Sequence, residues 1–184
     1  MPLSDVSNAI YYYLQPVNSN IPNFGTLYQA LPKVASEADL FSNSYPGAGM
    51  GATIFMFFTN QSERRVAFGG QHQGRKFRHY NLGLLTVFKS DLAATEDGQI
   101  AYNTFIDDLT AWIQADRNAW TEAANLGGQG PYVGTGVVFS WGEGPISGGG
   151  DDLVFDHIIP RTLAGGVTIF QSVAHVTVVE SLST

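Results

Sequence analysis

Residues 76–117 read KFRHYNLGLLTVFKSDLAATEDGQIAYNTFIDDLTAWIQADR, a long strand pattern followed directly by a long helix pattern. Tyr80, Leu82 and Leu84 alternate with other residues, so they share one face of a strand from Lys76 to Lys89. A helix is predicted from Thr95 or Glu96 to about Arg117, because its apolar residues recur every three or four positions. These residues are Tyr102, Phe105, Ile106, Leu109, Trp112 and Ile113. A strand leading into an amphipathic helix indicates a sheet that a helix covers.

Strand-like segments flank this stretch on both sides. Upstream, Ala52–Phe58 and Glu63–Phe68 are rich in apolar or alternating residues, and the glycine-rich residues 69–74 predict a turn into the strand at Lys76. Downstream, strands are predicted at Tyr132–Trp141 and Val167–Val179. The upstream strands indicate an antiparallel meander whose last hairpin is long.

The first element is predicted to be a helix from Asp5 to Leu14, with Ser4 as its N-cap. The fold class is therefore α+β: an antiparallel or mixed β-sheet with a long β-hairpin, packed on one face by an N-terminal helix and the central amphipathic helix. The 184 residues predict a single domain spanning residues 1–184. Glycine- and proline-rich segments predict irregular structure at 22–51 and 143–166, with extended loops at about 33–51 and 144–166.

The composition excludes several classes of protein. The chain has no cysteine, so disulfides, thiolate nucleophiles and thiolate metal sites cannot form. Its longest apolar run, Ala52–Phe58, is far shorter than the roughly 20 residues that span a bilayer. The first five residues lack the pattern of a signal peptide. We expect a soluble protein made inside the cell, without membrane contact.

Charge is distributed unevenly along the acidic chain. The net charge is −7, from 16 acidic and 9 basic residues. Between Glu63 and Arg78 lie five of the basic residues and one acid, so this segment carries +4 and the remainder carries −11. The five are Arg64, Arg65, Arg75, Lys76 and Arg78. One polarised face is predicted, suited to docking like subunits or an acidic partner, whereas five cations bind DNA weakly at physiological salt.

Two segments resemble ligand sites, and neither has the required pattern. Gly47–Ala52 matches the dinucleotide motif GxGxxA, but a proline turn precedes it and a strand, not a helix, is predicted to follow. Asp151, Asp152, Asp156 and His157 form an acidic cluster without the spacing of a calcium loop. His72 and the strand residues His79 and His175 show no metal-ligand spacing. We predict no catalytic, cofactor or metal site.

The order of these elements resembles that of siphophage tail terminator proteins. The likeness is carried by SERRVAFGG at 62–70 between two strands, by the helix ending IQADR at 113–117, and by a late strand leading to WGEG at 141–144. The closing strand and the first helix, with Val6, Ala9, Ile10 and Leu14, are also similar. The resemblance runs from residue 4 to about residue 182 and concerns the order of elements, not an invariant motif.

The resemblance implies a structural virion protein without enzymatic activity or cofactor. Tail terminators form a homo-oligomeric ring, typically a hexamer, that stops polymerisation of the tail tube and receives the head. The implied partners are other copies of the chain, the tail tube protein and neck or head-completion proteins, with genomic DNA passing through the lumen unbound. The implied location is the head-proximal end of the virion tail, after assembly in the host cytoplasm.

Two alternative functions remain open from the sequence. One is another phage structural role, as a neck or stopper protein or a tail-tube subunit. The other is a small-ligand-binding or enzymatic domain that uses the glycine loop or the Asp151–His157 segment.

Ring closure requires two different complementary surfaces on each subunit. The basic cluster is predicted to be one of them, and an acidic surface that includes Asp107, Asp108, Asp151 and Asp152 is predicted to be the other. On this interpretation, Arg64→Glu combined with Arg65→Glu weakens assembly without unfolding the subunit.

Overall fold

The structure, a computed structural model, describes residues 8, 11, 14–15, 21–31, 49–67, 74–115, 138–141, 153–163 and 165–183. Of these, residues 64–67, 74–77, 114–115, 138–141 and 180–183 are described by their backbone alone. The regular elements are β1 (Phe24–Tyr28), β2 (Gly51–Ala67), β3 (Gly74–Ser90), α1 (Thr95–Ala115), β4 (Val138–Trp141), β5 (Val154–Thr162) and β6 (Thr168–Ser183).

The strands form one six-stranded mixed sheet in the order β1-β2-β3-β6. β1 is parallel to β2, and all other pairs are antiparallel. β4 and β5 lie along successive stretches of the outer edge of β6, pairing with Val178–Ser181 and Thr168–His175 respectively. This mixed sheet with its helix agrees with the predicted α+β class.

The main hydrophobic core lies between α1 and one face of the sheet, called here the near face. Met56, Leu84 and Ala174 are cross-strand neighbours on this face, and each is fully buried. The ring centroid of Phe88 lies 5.7 Å from that of Phe105 and 5.8 Å from that of Tyr102, and both of these residues are on α1. The buried side chains therefore join the three long strands to the helix.

Several predicted elements are confirmed in the described residues. The strand at 76–89 lies within β3, the closing strand is β6, and Val138–Trp141 is the part of the predicted 132–141 strand that the structure describes. The predicted helix is α1, and its predicted stripe is buried except for Trp112, which is partly buried. Within the predicted N-terminal helix, Asn8 and Tyr11 are helical, while the other residues of that helix up to 13 lie outside the described part of the chain.

The predicted break between Phe58 and Glu63 is wrong, because β2 is one strand of 17 residues. Its register against β3 shifts between Phe58 and Asn60, where the Thr59 hydroxyl donates a hydrogen bond to the Asn81 carbonyl oxygen at 3.1 Å. A bulge of this kind accommodates an extra residue while the strand continues. The polar residues after Phe58 therefore belong to the sheet. The register runs on to Ala67 opposite Gly74, and residues 68–73 lie outside the described part.

β1 corrects the prediction of irregular structure throughout 22–51. It follows Asn23, which has a positive φ of 62°, and it lies beside the start of β2. The register shifts between Phe24 and Thr26, so the buried residues are Phe24 and Leu27, three positions apart. This bulge conceals the two-residue alternation that identifies a strand.

β5 corrects the prediction of irregular structure at 143–166, and shows that the predicted 144–166 loop is regular over nine residues. Pro160 lies at a register shift between Ile158 and Arg161. Proline, which has no N–H, is tolerated in a sheet at edges and bulges. β5 is such an edge strand, and most of its residues are exposed.

The opposite face of the sheet, called here the far face, has a smaller apolar cluster. Phe55, Val87 and Ile169 are buried there, and Tyr28 stacks on Phe55 with ring centroids 5.3 Å apart. Phe57 lies directly opposite Gly83, so closely that a Cβ on Gly83 would overlap the phenylalanine ring. Glycine at this position is needed for the ring to lie across the strand.

Candidate interaction surface

The predicted basic cluster lies at one end of the three long strands, which we call the basic end. From Arg78 back to Arg75, each residue of β3 lies between one residue of β2 and one residue of β6, and such a set of three is called a row here. In the order β2–β3–β6, the rows are Glu63–Arg78–Glu180, Arg64–Phe77–Ser181, Arg65–Lys76–Leu182 and Val66–Arg75–Ser183. Since successive residues of a strand alternate between faces, these cations cannot all lie on one face. The prediction of one polarised face is wrong, because the basic residues share one end of the sheet and not one face.

The near face of the basic end is largely charge-compensated. It carries Arg65, Lys76 and Arg78 together with Glu63 and Glu180. The Arg78 Nε donates to Glu63 Oε2 at 3.1 Å, and both side chains are partly exposed. Such an exposed pair contributes at most about 1 kcal/mol.

The far face of the basic end differs in the residues that its described rows hold. It carries Arg64 and Arg75 in adjacent rows, with Phe77 and Val66 as their cross-strand partners. The described rows hold no acid on this face, where the other residues are Ser62, His79, Val138, Ser140, Val179, Ser181 and Ser183. Two arginines beside aromatic and aliphatic neighbours have the composition of a protein-binding surface.

Two of the four predicted acidic site residues lie on α1. Asp107 is exposed and Asp108 is partly buried. Asp151 and Asp152 lie outside the described residues. The structure therefore separates Asp107 and Asp108 from the basic end and places them on the helix that covers the near face.

Sequence reasoning missed that Asp107 and Asp108 belong to a longer acidic stripe. Glu96 and Asp97 lie eleven residues earlier in α1, and eleven residues make roughly three helical turns. Glu96, Asp97 and Asp107 are exposed on the side of α1 that faces away from the core, and the partly buried Asp108 lies at the edge of that side. The signal was present in the sequence, since residues 90–115 contain five acids and no lysine or arginine.

This acidic stripe has an apolar residue in its middle. Ile100 is 59% exposed on the same side of α1. None of the four carboxylates forms an ion pair with another residue of the described part of the chain. An apolar centre with a charged rim is the usual arrangement of a protein interface.

The two described residues of the acidic cluster, Asp156 and His157, do not converge on a site. Asp156 Oδ2 lies 3.1 Å from His175 Nε2, across β5 and β6. The neighbouring His157 contacts α1, with its Nδ1 3.1 Å from the Tyr102 hydroxyl. Because Asp156 and His157 lie on opposite faces of β5, they cannot bind the same ion.

Beneath α1 lies a polar row that the sequence did not reveal, buried at Thr86 and Ser172 and exposed at His157. Thr86, Ser172 and His157 are neighbours across β3, β6 and β5. The hydroxyls of Thr86 and Ser172 have no hydrogen-bond partner among the described residues. Burial raises the pKa of the Tyr102 hydroxyl. The row holds β5 against the helix, where Tyr102 stacks on Phe170.

The remaining candidate motifs have no site geometry. Gly51 begins β2, so the glycine loop leads into a strand and lacks the helix N-terminus that a dinucleotide site needs. In the described part of the chain, no group of three His, Asp or Glu side chains is arranged to bind a metal ion. No described helix is long and apolar enough to cross a membrane.

Neither protein-family models nor curated proteins match this chain. The functional argument therefore rests on the two charged surfaces: the far face of the basic end and the acidic stripe of α1.

Proposed function

We propose that this chain is a structural virion protein that assembles into a homo-oligomeric, hexameric ring and terminates the tail tube of a siphophage. In this role it is not an enzyme. It forms the tail side of the head–tail junction, where it contacts the tail tube protein and neck or head-completion proteins. Genomic DNA passes through the lumen without specific binding. Its location is the head-proximal end of the tail, after assembly in the host cytoplasm.

The observation that carries this proposal is the presence of two oppositely charged surfaces on different sides of one subunit. Head-to-tail contacts close into a ring only when each subunit carries two different complementary patches. The basic end and the acidic stripe of α1 have the charges that such contacts need. Each also has an apolar residue beside the charges, Phe77 at the basic end and Ile100 in the stripe.

The proposal includes a finer description of the fold. A continuous β2–β3 hairpin would project the basic end beyond α1, and this is supported by the pairing of Ala67 with Gly74. An N-terminal helix would pack beside α1 on the near face. Its support is the burial of Leu14 in the main core and the partly buried Tyr11 against it.

The test is the mass and shape of the purified protein, by light scattering after size exclusion and by negative-stain microscopy. Discrete rings of about six subunits, bound at one end of added tail tubes, are expected. Long cylinders formed by the protein alone would identify a tube subunit instead. A protein that neither forms rings nor binds tube ends would contradict the proposal.

A neck or stopper protein is the second candidate, because the same two surfaces would serve a ring at the next level of the head–tail junction. Recruitment by purified heads in preference to tail tubes would favour it.

A further inference from the structure

We propose that the far face of the basic end docks onto the acidic stripe of α1 in a neighbouring copy of the chain. This inference rests on the proposed ring and specifies its interface. Arg64 and Arg75 of one copy would pair with Glu96, Asp97, Asp107 and Asp108 of the next. Ile100 would lie at the centre of the contact, opposite the position of Phe77.

Charge selects the far face over the near face. Near-face Arg78 already pairs with Glu63, and Glu180 lies opposite Arg78 in the register. On the far face, Arg64 and Arg75 have no acid in any of the described rows. A face whose described rows hold two arginines and no acid carries net positive charge, which favours an acidic partner.

The geometry of one chain requires the partner to be a second molecule. α1 covers the near face, and its acidic stripe faces away from the sheet. Arg64 and Arg75 lie on the far face, so the sheet and the helix separate the two surfaces within one chain. The β3–α1 junction is also distant, because Ser90 lies fourteen residues beyond Lys76 and this separation spans about 45 Å in a strand.

Each of the two surfaces combines charged residues with an apolar position. The stripe extends about 16 Å along the helix from Glu96 to Asp107. Its exposed apolar residue, Ile100, lies between the two pairs of acids. The opposing face places Phe77 beside Arg64 and next to the row of Arg75. Because the surfaces differ, the contact is head-to-tail, as ring closure requires.

The experiment compares two matched charge reversals on the same pair of strands. Arg64→Glu with Arg75→Glu alters the far face, and Arg65→Glu with Lys76→Glu makes the same change of charge on the near face. A third variant, Asp107→Lys with Asp108→Lys, reverses charge on the stripe without altering the first turn of α1. Sedimentation velocity gives the dissociation constant of the assembly, and urea unfolding checks that each subunit is folded.

We expect the far-face and stripe variants each to weaken assembly by roughly tenfold or more, and the near-face variant by less than about threefold. Combining the far-face and stripe changes in one chain should restore assembly, because both partners then carry the opposite charge. If a reversal unfolds the subunit, Arg64→Gln with Arg75→Gln replaces it, with the same expected direction.

Equal effects of the two strand variants, or no recovery in the combined variant, would overturn the proposed interface while leaving the ring intact. Loss of duplex DNA binding by the far-face variant, with assembly unchanged, would also overturn it in favour of a nucleic-acid surface. If recovery occurs in an open filament or a dimer, the interface is correct and the ring function is wrong. A wild-type protein that stays monomeric at all concentrations and does not bind the ends of added tail tubes excludes both.

Discussion

At the scale of single residues, Gly83 is the position where the structure depends most directly on a missing side chain. A Cβ there would overlap the ring of Phe57, its partner across β2 and β3. Gly83→Ala is therefore expected to lower the free energy of unfolding by about 1–3 kcal/mol, measured by urea denaturation. In a Phe57→Ala background the same change should be neutral or stabilising, since the ring is gone and alanine restricts the unfolded chain. An equal loss in both backgrounds would contradict the contact.

Tyr102 gives a second residue-scale prediction, based on pH. Tyr102→Phe removes the hydrogen bond to His157 and should lower the free energy of unfolding by about 1 kcal/mol at neutral pH. Burial raises the pKa of Tyr102 above its ordinary value of 10.0, so the unfolded chain loses this proton first. Stability from the neutral hydroxyl is thus complete below pH 10.0 and decreases as pH rises above it.

Phenylalanine does not ionise, so the stability difference between wild type and Tyr102→Phe should shrink above pH 10.0. Denaturation curves of both proteins between neutral and alkaline pH measure this difference. A constant difference across that range would show that the hydroxyl is not buried as described.

At the scale of elements, the helices and strands that the sequence predicted correctly are those in which the spacing of apolar residues is uninterrupted. In α1 the stripe from Tyr102 to Ile113 keeps helical spacing, and in β3 Tyr80, Leu82 and Leu84 keep strand spacing. β1 and β5 were missed because each contains a bulge, which shifts the side-chain alternation by one residue. The apparent break inside β2 has the same cause.

For the candidate surface, the sequence predicted which residues are charged but not which face of the sheet each of them lies on. The basic residues and Asp107 and Asp108 could be chosen from composition, but faces depend on register. The bulge after Phe58 sets the register between β2 and β3 from Asn60 onward. Glu63 therefore lies opposite Arg78, and Arg64 lies opposite Phe77. One residue of slippage would exchange the two faces. The division of the cations between faces therefore required the structure.

The helix α1 allows a matched test of its two sides. Ile106 is buried against the sheet and Ile100 is 59% exposed. Ile106→Ala should lower the free energy of unfolding by about 2–5 kcal/mol, because it leaves a cavity in the core. Ile100→Ala should change it by less than about 0.5 kcal/mol, since the side chain is not in the core. Urea denaturation of the two variants measures both values. Similar losses would show that the orientation of α1 is wrong.

At the scale of the whole molecule, the separation of charge predicts that assembly depends on salt. The chain carries −7 overall, so copies repel one another unless the basic end of one meets an acidic surface of the next. Raising NaCl from about 0.1 M to about 1 M shortens the Debye length from about 10 Å to about 3 Å. Assembly through the proposed contact should weaken roughly tenfold over this range, measured by sedimentation velocity.

The far-face variant is the control for this dependence. Arg64→Glu with Arg75→Glu removes the attraction that salt screens, so any residual assembly should be insensitive to salt or strengthened by it. The near-face variant, Arg65→Glu with Lys76→Glu, should keep the wild-type salt dependence, because its residues lie outside the proposed contact. If wild-type assembly strengthens with salt, apolar contacts dominate the interface, and the exposed Ile159 and Val154 at the β5 edge become the surface to test.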